Sequence, residues 1–157
     1  MDDGPRVCSV ARTLEVVGDR WSLLVIREAF LGNHRFDAIQ RRTGAPRDIL
    51  AARLRKLVET GVLERRRYQE RPPRDEYHLT EAGRELHPVI TALRQWGDRH
   101  VARPPAPARF AHECGGDGPA YLVCPDCGEP VEAGSYRREP DLRGGRGLIV
   151  PADGSPG

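Results

Sequence analysis

The chain has 157 residues, a formal net charge of +2, and 38% hydrophobic and 31% charged residues, which allows one globular domain with room for an appendage. Its longest wholly aliphatic run, Leu23-Leu24-Val25-Ile26, is far short of a membrane span. Met1-Asp2-Asp3-Gly4-Pro5 has neither the basic nor the apolar stretch of a signal peptide, so the expected location is cytoplasmic with no membrane partner. In that compartment the four cysteines are expected to be thiols or metal ligands and not structural disulfides. Charge is unevenly spread. Residues 35–74 hold twelve basic and five acidic side chains, a local net of +7 on a chain whose remainder is acidic.

In chain order, Cys8–Val17 reads as a short helix with Gly18 at its C′ position. Asp19 is placed to cap the next helix, Arg20–Leu31, which stops at Gly32-Asn33. Trp21, Leu24, Val25 and Glu28 lie on one face of it and Leu23, Ile26 and Phe30 on the neighbouring one, so this helix is the expected centre of the core. Arg35–Thr43 follows as a helix, then a turn through Gly44-Ala45-Pro46 and a second helix from Arg47 to about Thr60. Two strands, Val62–Tyr68 and Glu76–Leu79, are joined by the tip Gln69–Asp75, where Pro72 and Pro73 limit further pairing. Thr80 then caps a long helix, Glu81–Val101, which Pro88 is expected to kink. Its stripe of Leu86, Val89, Ile90, Leu93, Trp96 and Gly97 is longer than one small domain needs.

The order helix, turn, helix, basic hairpin points to a nucleic-acid footprint. At 100° per residue, Leu50, Leu54 and Leu57 share one face of the second helix with Val58 beside them. Asp48, Ala51, Ala52, Arg55 and Glu59 fall opposite, with Lys56 at the edge. Two alanines on an outward face permit close approach to a groove floor, and Arg47 and Arg55 flank them. Arginines at a hairpin tip suit a narrow minor groove. The expected DNA contacts are Arg35, Arg47, Asp48, Ala51, Ala52, Arg55 and Lys56, with Arg65, Arg67, Arg71 and Arg74 from the hairpin. The expected fold is mainly α with a small β-wing, a winged helix-turn-helix carrying a C-terminal Cys/His-rich appendage.

Six blocks in order resemble HxlR-type regulators, a branch of the MarR-like winged-helix proteins. They are Cys8–Leu14, Gly18–Glu28, Arg35–Ile39, Leu50–Arg65, Glu76–Gly83 and Trp96-Gly97. The resemblance implies a transcriptional regulator of double-stranded DNA, a homodimer with its terminal helices at the interface, and a palindromic site. It also implies a small-molecule or oxidant inducer, with Cys8 as a candidate sensor. The residues alone leave a buried, inert Cys8 equally open. Pro46 stands where many members have a small hydroxyl residue, so no hydroxyl cap is available to the second helix.

From Arg103 onward nine prolines and ten glycines interrupt the chain, and too few large apolar residues remain for a second core. The expected division is 1–102 for DNA binding and dimerisation, a Pro-rich linker at 103–109, an appendage at 110–136 and a disordered tail at 137–157. In the appendage, His112 and Cys114 are followed after nine residues by Cys124-Pro125-Asp126-Cys127-Gly128. These four donors suggest one structural zinc in a closed Cys₃His site. A redox dithiol at Cys124/Cys127 or three reduced thiols in an unfolded tail are the alternatives. A zinc- or thiol-dependent protein-interaction module is the second reading for the whole chain. An enzyme is not expected, because no nucleophile–base pair or phosphate-cradling glycine loop is present.

Overall fold

The computed structural model describes residues 8–101, 103, 110–116 and 118–132. The chain divides into two units, Arg12–Trp96 and the combination of Met1–Ala11 with Gly97–Gly157. The expected linker beyond Arg103 and the expected disordered tail at 137–157 lie outside the described residues. The elements run α1 (Ser9–Val17), α2 (Arg20–Phe30), α3 (Phe36–Thr43), α4 (Arg47–Glu59), β1 (Leu63–Gln69), β2 (Arg74–Leu79), α5 (Glu81–Arg84) and α6 (His87–His100). The expectation of a mainly α winged helix-turn-helix is met. No helix among the described residues is long and apolar enough to cross a membrane.

The core is built around α2. Val25 and Ile26 are fully buried, against Ile39 of α3, Leu50, Leu54 and Leu57 of α4, and Leu63 of β1. Two polar side chains enter this core with all their needs met. Ser22 donates its hydroxyl to Asp19 Oδ2 at 2.5 Å. Glu28, 3% exposed, accepts from Arg27 Nη2 at 2.6 Å and from Asn33 Nδ2 at 2.7 Å, as a buried carboxylate must.

Asp19 caps α2 as expected: Oδ1 accepts from the amides of Trp21 and Ser22, both at 3.0 Å. The same carboxylate lies 3.0 Å from Arg53 Nε of α4. That contact is an ion pair without good N–H alignment, since the Arg53 Nε proton finds no hydrogen-bond acceptor. Gly18 works differently from the C′ expectation. Its backbone is not left-handed; a Cβ there would stand 2.4 Å from the Leu14 carbonyl oxygen, so space and not φ selects glycine.

The C-terminal helix also departs from expectation, being broken rather than kinked. It stops at Arg84, passes through Glu85 and Leu86, and restarts at His87. Pro88 has no N–H to bond the Arg84 carbonyl, and its ring would crowd that oxygen, so the chain resets and places proline in the new first turn. Thr80 does cap α5, accepting from the Gly83 amide at 3.1 Å. In α6, Leu86 before it and Ile90 within it pack on the core, and the His87 ring meets Phe30 edge-on at 5.1 Å.

The Asp19 carboxyl is held below its usual range. Burial alone pushes it up, but the Ser22 hydroxyl and amide, the Arg53 charge and the Trp21 amide together outweigh that. A depressed folded value stabilises the fold above the unfolded value of about 3.9, and that contribution is lost as pH falls through the folded value. Asp19→Ala is therefore expected to cost about 1 kcal/mol at neutral pH, with the gap to the parent protein narrowing in acid as pH falls through the folded value. Urea unfolding at neutral and at acid pH checks this; an equal gap at both would remove the charge from the account.

Candidate nucleic-acid interface

The turn between α3 and α4 is fixed by local chemistry. Gly44 takes the left-handed conformation (φ 71°, ψ 14°) and its amide bonds the Gln40 carbonyl, a backbone state that only glycine adopts without cost. Ala45 is fully buried, and its carbonyl accepts from Gln40 Nε2 at 3.2 Å. Thr43 closes the turn from the other side: its hydroxyl donates to Ile39 O at 2.8 Å and accepts from the Ala45 amide at 3.2 Å. Pro46 occupies the N-cap of α4, which accordingly has no side-chain cap.

With Leu50, Leu54 and Leu57 inward, α4 turns Asp48, Ala52, Arg55 and Glu59 to solvent, while Ala51 is only half-exposed. Lys56 was expected on the DNA-facing edge. It instead reaches back to α1, donating Nζ to the Glu15 carbonyl. Arg47 also has a partner. Its guanidinium lies 3.1 Å from Asp37 Oδ1 and 4.9 Å from the Phe36 ring centroid, both on α3.

In the wing, β1 and β2 pair antiparallel from Leu63↔Leu79 to Arg67↔Asp75, then shift to Gln69↔Arg74. Both strands run further than expected, so Arg74 and Asp75 belong to β2 and the tip is only Glu70–Pro73. The shift leaves Tyr68 as a bulge, and a bulge re-aims its side chain; Arg35 stacks over that ring at 4.4 Å. A third strand-like segment closes the wing: Arg35 bridges to Glu76, and the Tyr77 amide donates to the His34 carbonyl at 2.8 Å. His34 also stacks on His78 at 4.1 Å. Tyr77 and Leu79 pack toward the core, and burial pushes the Tyr77 hydroxyl up.

The hairpin arginines divide by partner. Arg67 and Arg65 converge on Asp75 at 3.2 and 3.7 Å, Arg66 pairs with Glu64, and Arg35 Nε donates to Glu76 Oε1 at 3.0 Å. No side-chain ion pair or hydrogen bond to a described residue is made by Arg55, Arg71 or Arg74, nor by Arg41 and Arg42 at the end of α3. Arg41 and Arg42 were absent from the expected contacts, although they belong to the basic count of 35–74. Arg41 lines a cleft of about 460 Å³ between α3, the start of α4 and the wing, together with Arg35, Arg47, Arg74 and Tyr68. Exposed ion pairs hold little free energy, so the paired arginines can exchange a carboxylate for a phosphate.

Cys8 is exposed, one residue before α1, which does not fit a buried, inert thiol. The four appendage donors form two pairs. His112 Nδ1 lies 3.2 Å from Cys114 Sγ. Cys124 Sγ receives the amides of Cys127 and Asp126 and the Cys127 thiol, which together hold it below the usual thiol range. Among the described residues no three His, Cys, Asp or Glu side chains are gathered as a metal-holding group.

Residues 16–104 match the HxlR-like helix-turn-helix family. The chain is similar to the HTH-type transcriptional regulator Rv3095 of Mycobacterium tuberculosis (strain ATCC 25618 / H37Rv), 47% identical over 134 residues, covering 84% of this chain and 85% of that protein. A match of that length takes in residues beyond the winged helix. Among solved structures it resembles PA1607, a putative transcription factor, with TM-score 0.74 and 39% identity over 86% of this chain and 96% of that one. It also resembles the redox regulator HypR in its reduced form, with TM-score 0.54 and 33% identity over 58% of this chain and 91% of that one.

The Arg35 hydrogen bond, followed by that of His78 at 3.1 Å, holds the Glu76 carboxyl below its usual range. A carboxyl-carbon NMR titration is expected to show this in the parent protein and a rise toward the ordinary value in Arg35→Met. An unmoved midpoint would mean that the Arg35–Glu76 clasp does not form in solution.

Proposed function

The chain belongs to the HxlR-like helix-turn-helix family, and from that premise we propose that two copies act together to read a palindromic operator through α4 and the wing. At the level of class, the chain is a DNA-binding transcriptional regulator and not an enzyme. The observation that carries the finer reading is the outward face of α4. Ala52 leaves room for a groove floor and Arg55 stands exposed beside it with no side-chain partner among the described residues, while Arg71 and Arg74 stand exposed on the wing. Ala51, Asp48 and Arg47 border that face, and Arg35, Arg65 and Arg67 supply charge behind it. The compartment this reading implies is the cytoplasm.

Dimerisation is supported by apolar side chains that the single chain leaves uncovered: Leu14 of α1 and Val89, Leu93 and Trp96 of α6, each between 45% and 56% exposed. A two-fold dimer would present its two copies of α4 to half-sites about one DNA turn apart, on the order of 34–36 Å.

Fluorescence anisotropy on the chain's own upstream DNA, against shuffled DNA over a salt series, tests the proposal. Arg55→Ala is expected to cost about 1–3 kcal/mol on the preferred site. Arg71→Ala and Arg74→Ala are expected to weaken binding to every DNA and to flatten its salt dependence. Leu93→Glu is expected to give a monomer in sedimentation and to lose affinity with it. Equal affinity of Arg55→Ala for the preferred site would remove α4 from the readout, and no binding to either DNA at low salt would favour the protein-interaction reading.

An oxidant input rests on one further observation, the exposure of Cys8 in a chain similar to a redox regulator. Treatment with a thiol oxidant such as diamide is expected to change DNA affinity of the parent protein and leave Cys8→Ser unchanged. The same response in both would clear Cys8 of a sensing role.

A further inference from the structure

We propose that the segment 110–132 is a zinc-binding module in which His112, Cys114, Cys124 and Cys127 hold one ion. The segment consists of two turns built alike, each presenting two donors. In the first, the Gly115 amide donates to His112 O at 2.8 Å and the His112 amide to Gly116 O at 2.7 Å. In the second, the Gly128 amide donates to Cys124 O at 2.8 Å and the Cys124 amide to Glu129 O at 2.9 Å. In both, the second donor is followed directly by a left-handed glycine, Gly115 (φ 87°) after Cys114 and Gly128 (φ 76°) after Cys127. Each turn folds back on its first donor residue and brings the two ligating side chains to one side. The imidazole and thiol of the first turn are 3.2 Å apart, and the two thiols of the second are in hydrogen-bond contact.

The second turn is carried on a short hairpin, with Val123 bridged to Pro130 and the Val131 amide bonded to Leu122 O at 2.8 Å. Of the segment's large apolar residues, Phe110, Tyr121, Leu122 and Val123 are between 44% and 72% exposed while Val131 is half-buried, so apolar burial contributes little, and a module this small gains from a staple. Three sulfurs and an imidazole are a soft donor set suited to zinc, and four protein ligands leave no open position, which makes the site structural and not catalytic.

Among the described residues the two pairs are not gathered into one group of donors. Residues 117–121 between the two turns span up to about 17 Å when extended, enough to let both close on one ion. Coordination releases the thiol protons to solvent.

The test uses the full chain, purified reduced and without chelator. Elemental analysis is expected to find one zinc per chain. Replacement by cobalt(II) is expected to give the visible absorption of a tetrahedral ion with sulfur-to-metal bands of three thiolates. Cys114→Ser, Cys124→Ser and His112→Ala are each expected to lose most of the metal, whereas Cys8→Ser keeps it. Should a variant fail to fold, the cobalt spectrum of the parent chain decides alone, because its sulfur bands count the ligands. Well under one zinc per chain with no tetrahedral cobalt spectrum would overturn the proposal. So would metal retained in Cys124→Ser, a cobalt spectrum unchanged by His112→Ala, or one zinc per two chains.

Discussion

The rotation of α4 about its own axis is set by three leucines, and everything on its outer face follows from that. Leu50, Leu54 and Leu57 are at most 1% exposed, and truncating a buried leucine of this kind costs about 2–5 kcal/mol. The exposed ion pairs around α4 are worth roughly 0–1 kcal/mol each. Turning the helix to improve any of those pairs would uncover a leucine, so the apolar face wins. Asp19 adds a second constraint, because one carboxylate both caps α2 and meets Arg53 of α4. What remains outside, Ala52 and Arg55 above all, is a residue of that packing and is held in place by it.

A local charge of +7 would ordinarily strain a compact unit through self-repulsion. Here the charge is sorted by position. Arginines close to the body of the wing have carboxylate partners: Arg35 with Glu76, Arg65 and Arg67 with Asp75, Arg66 with Glu64. Arg71 at the wing tip, Arg74 beside it, Arg41 and Arg42 of α3 and Arg55 of α4 have none among the described residues. The pairs fix the shape of the wing through its bulge at Tyr68 and its bridge to Arg35, while the unpaired cations are left to meet an outside anion. Pairing and availability thus serve two ends of one surface.

The parts of the fold legible in the sequence are those written in local periodicity. The inward leucines of α4, the Asp19 cap and the Gly44 turn needed only spacing and residue type, and the structure has them all. The fates of Arg47 and Lys56 were not legible. Asp37 is ten residues from Arg47 and the Glu15 carbonyl forty-one from Lys56, so only the packed helices bring them together. The reason for glycine at position 18 was not legible, because a left-handed φ and lack of space look identical in sequence. Arg74 and Asp75 were placed in the turn because Pro72 and Pro73 mark where pairing stops on one side only. In the appendage, the Cys-x-x-Cys spacing was visible, but the likeness of its two turns lies in backbone hydrogen bonds that no spacing displays.

The break before Pro88 has a consequence for how a dimer of this chain would be built. α5 is bound into the DNA-facing body: the Thr80 hydroxyl that caps it also donates to Gly61 O at 2.6 Å. Gly83 lies so close under the Val62 carbonyl oxygen that a Cβ would stand 2.2 Å away. A continuous helix from Glu81 would carry the direction of that clamp straight into the apolar stripe. By stopping at Arg84 the chain frees the stripe from it, and the packing of Leu86 and Ile90 on the core, with His87 against Phe30, sets the course of the first turns of α6. The direction in which α6 presents Val89 and Leu93 is therefore set by contacts around Leu86 and His87 and not by the wing.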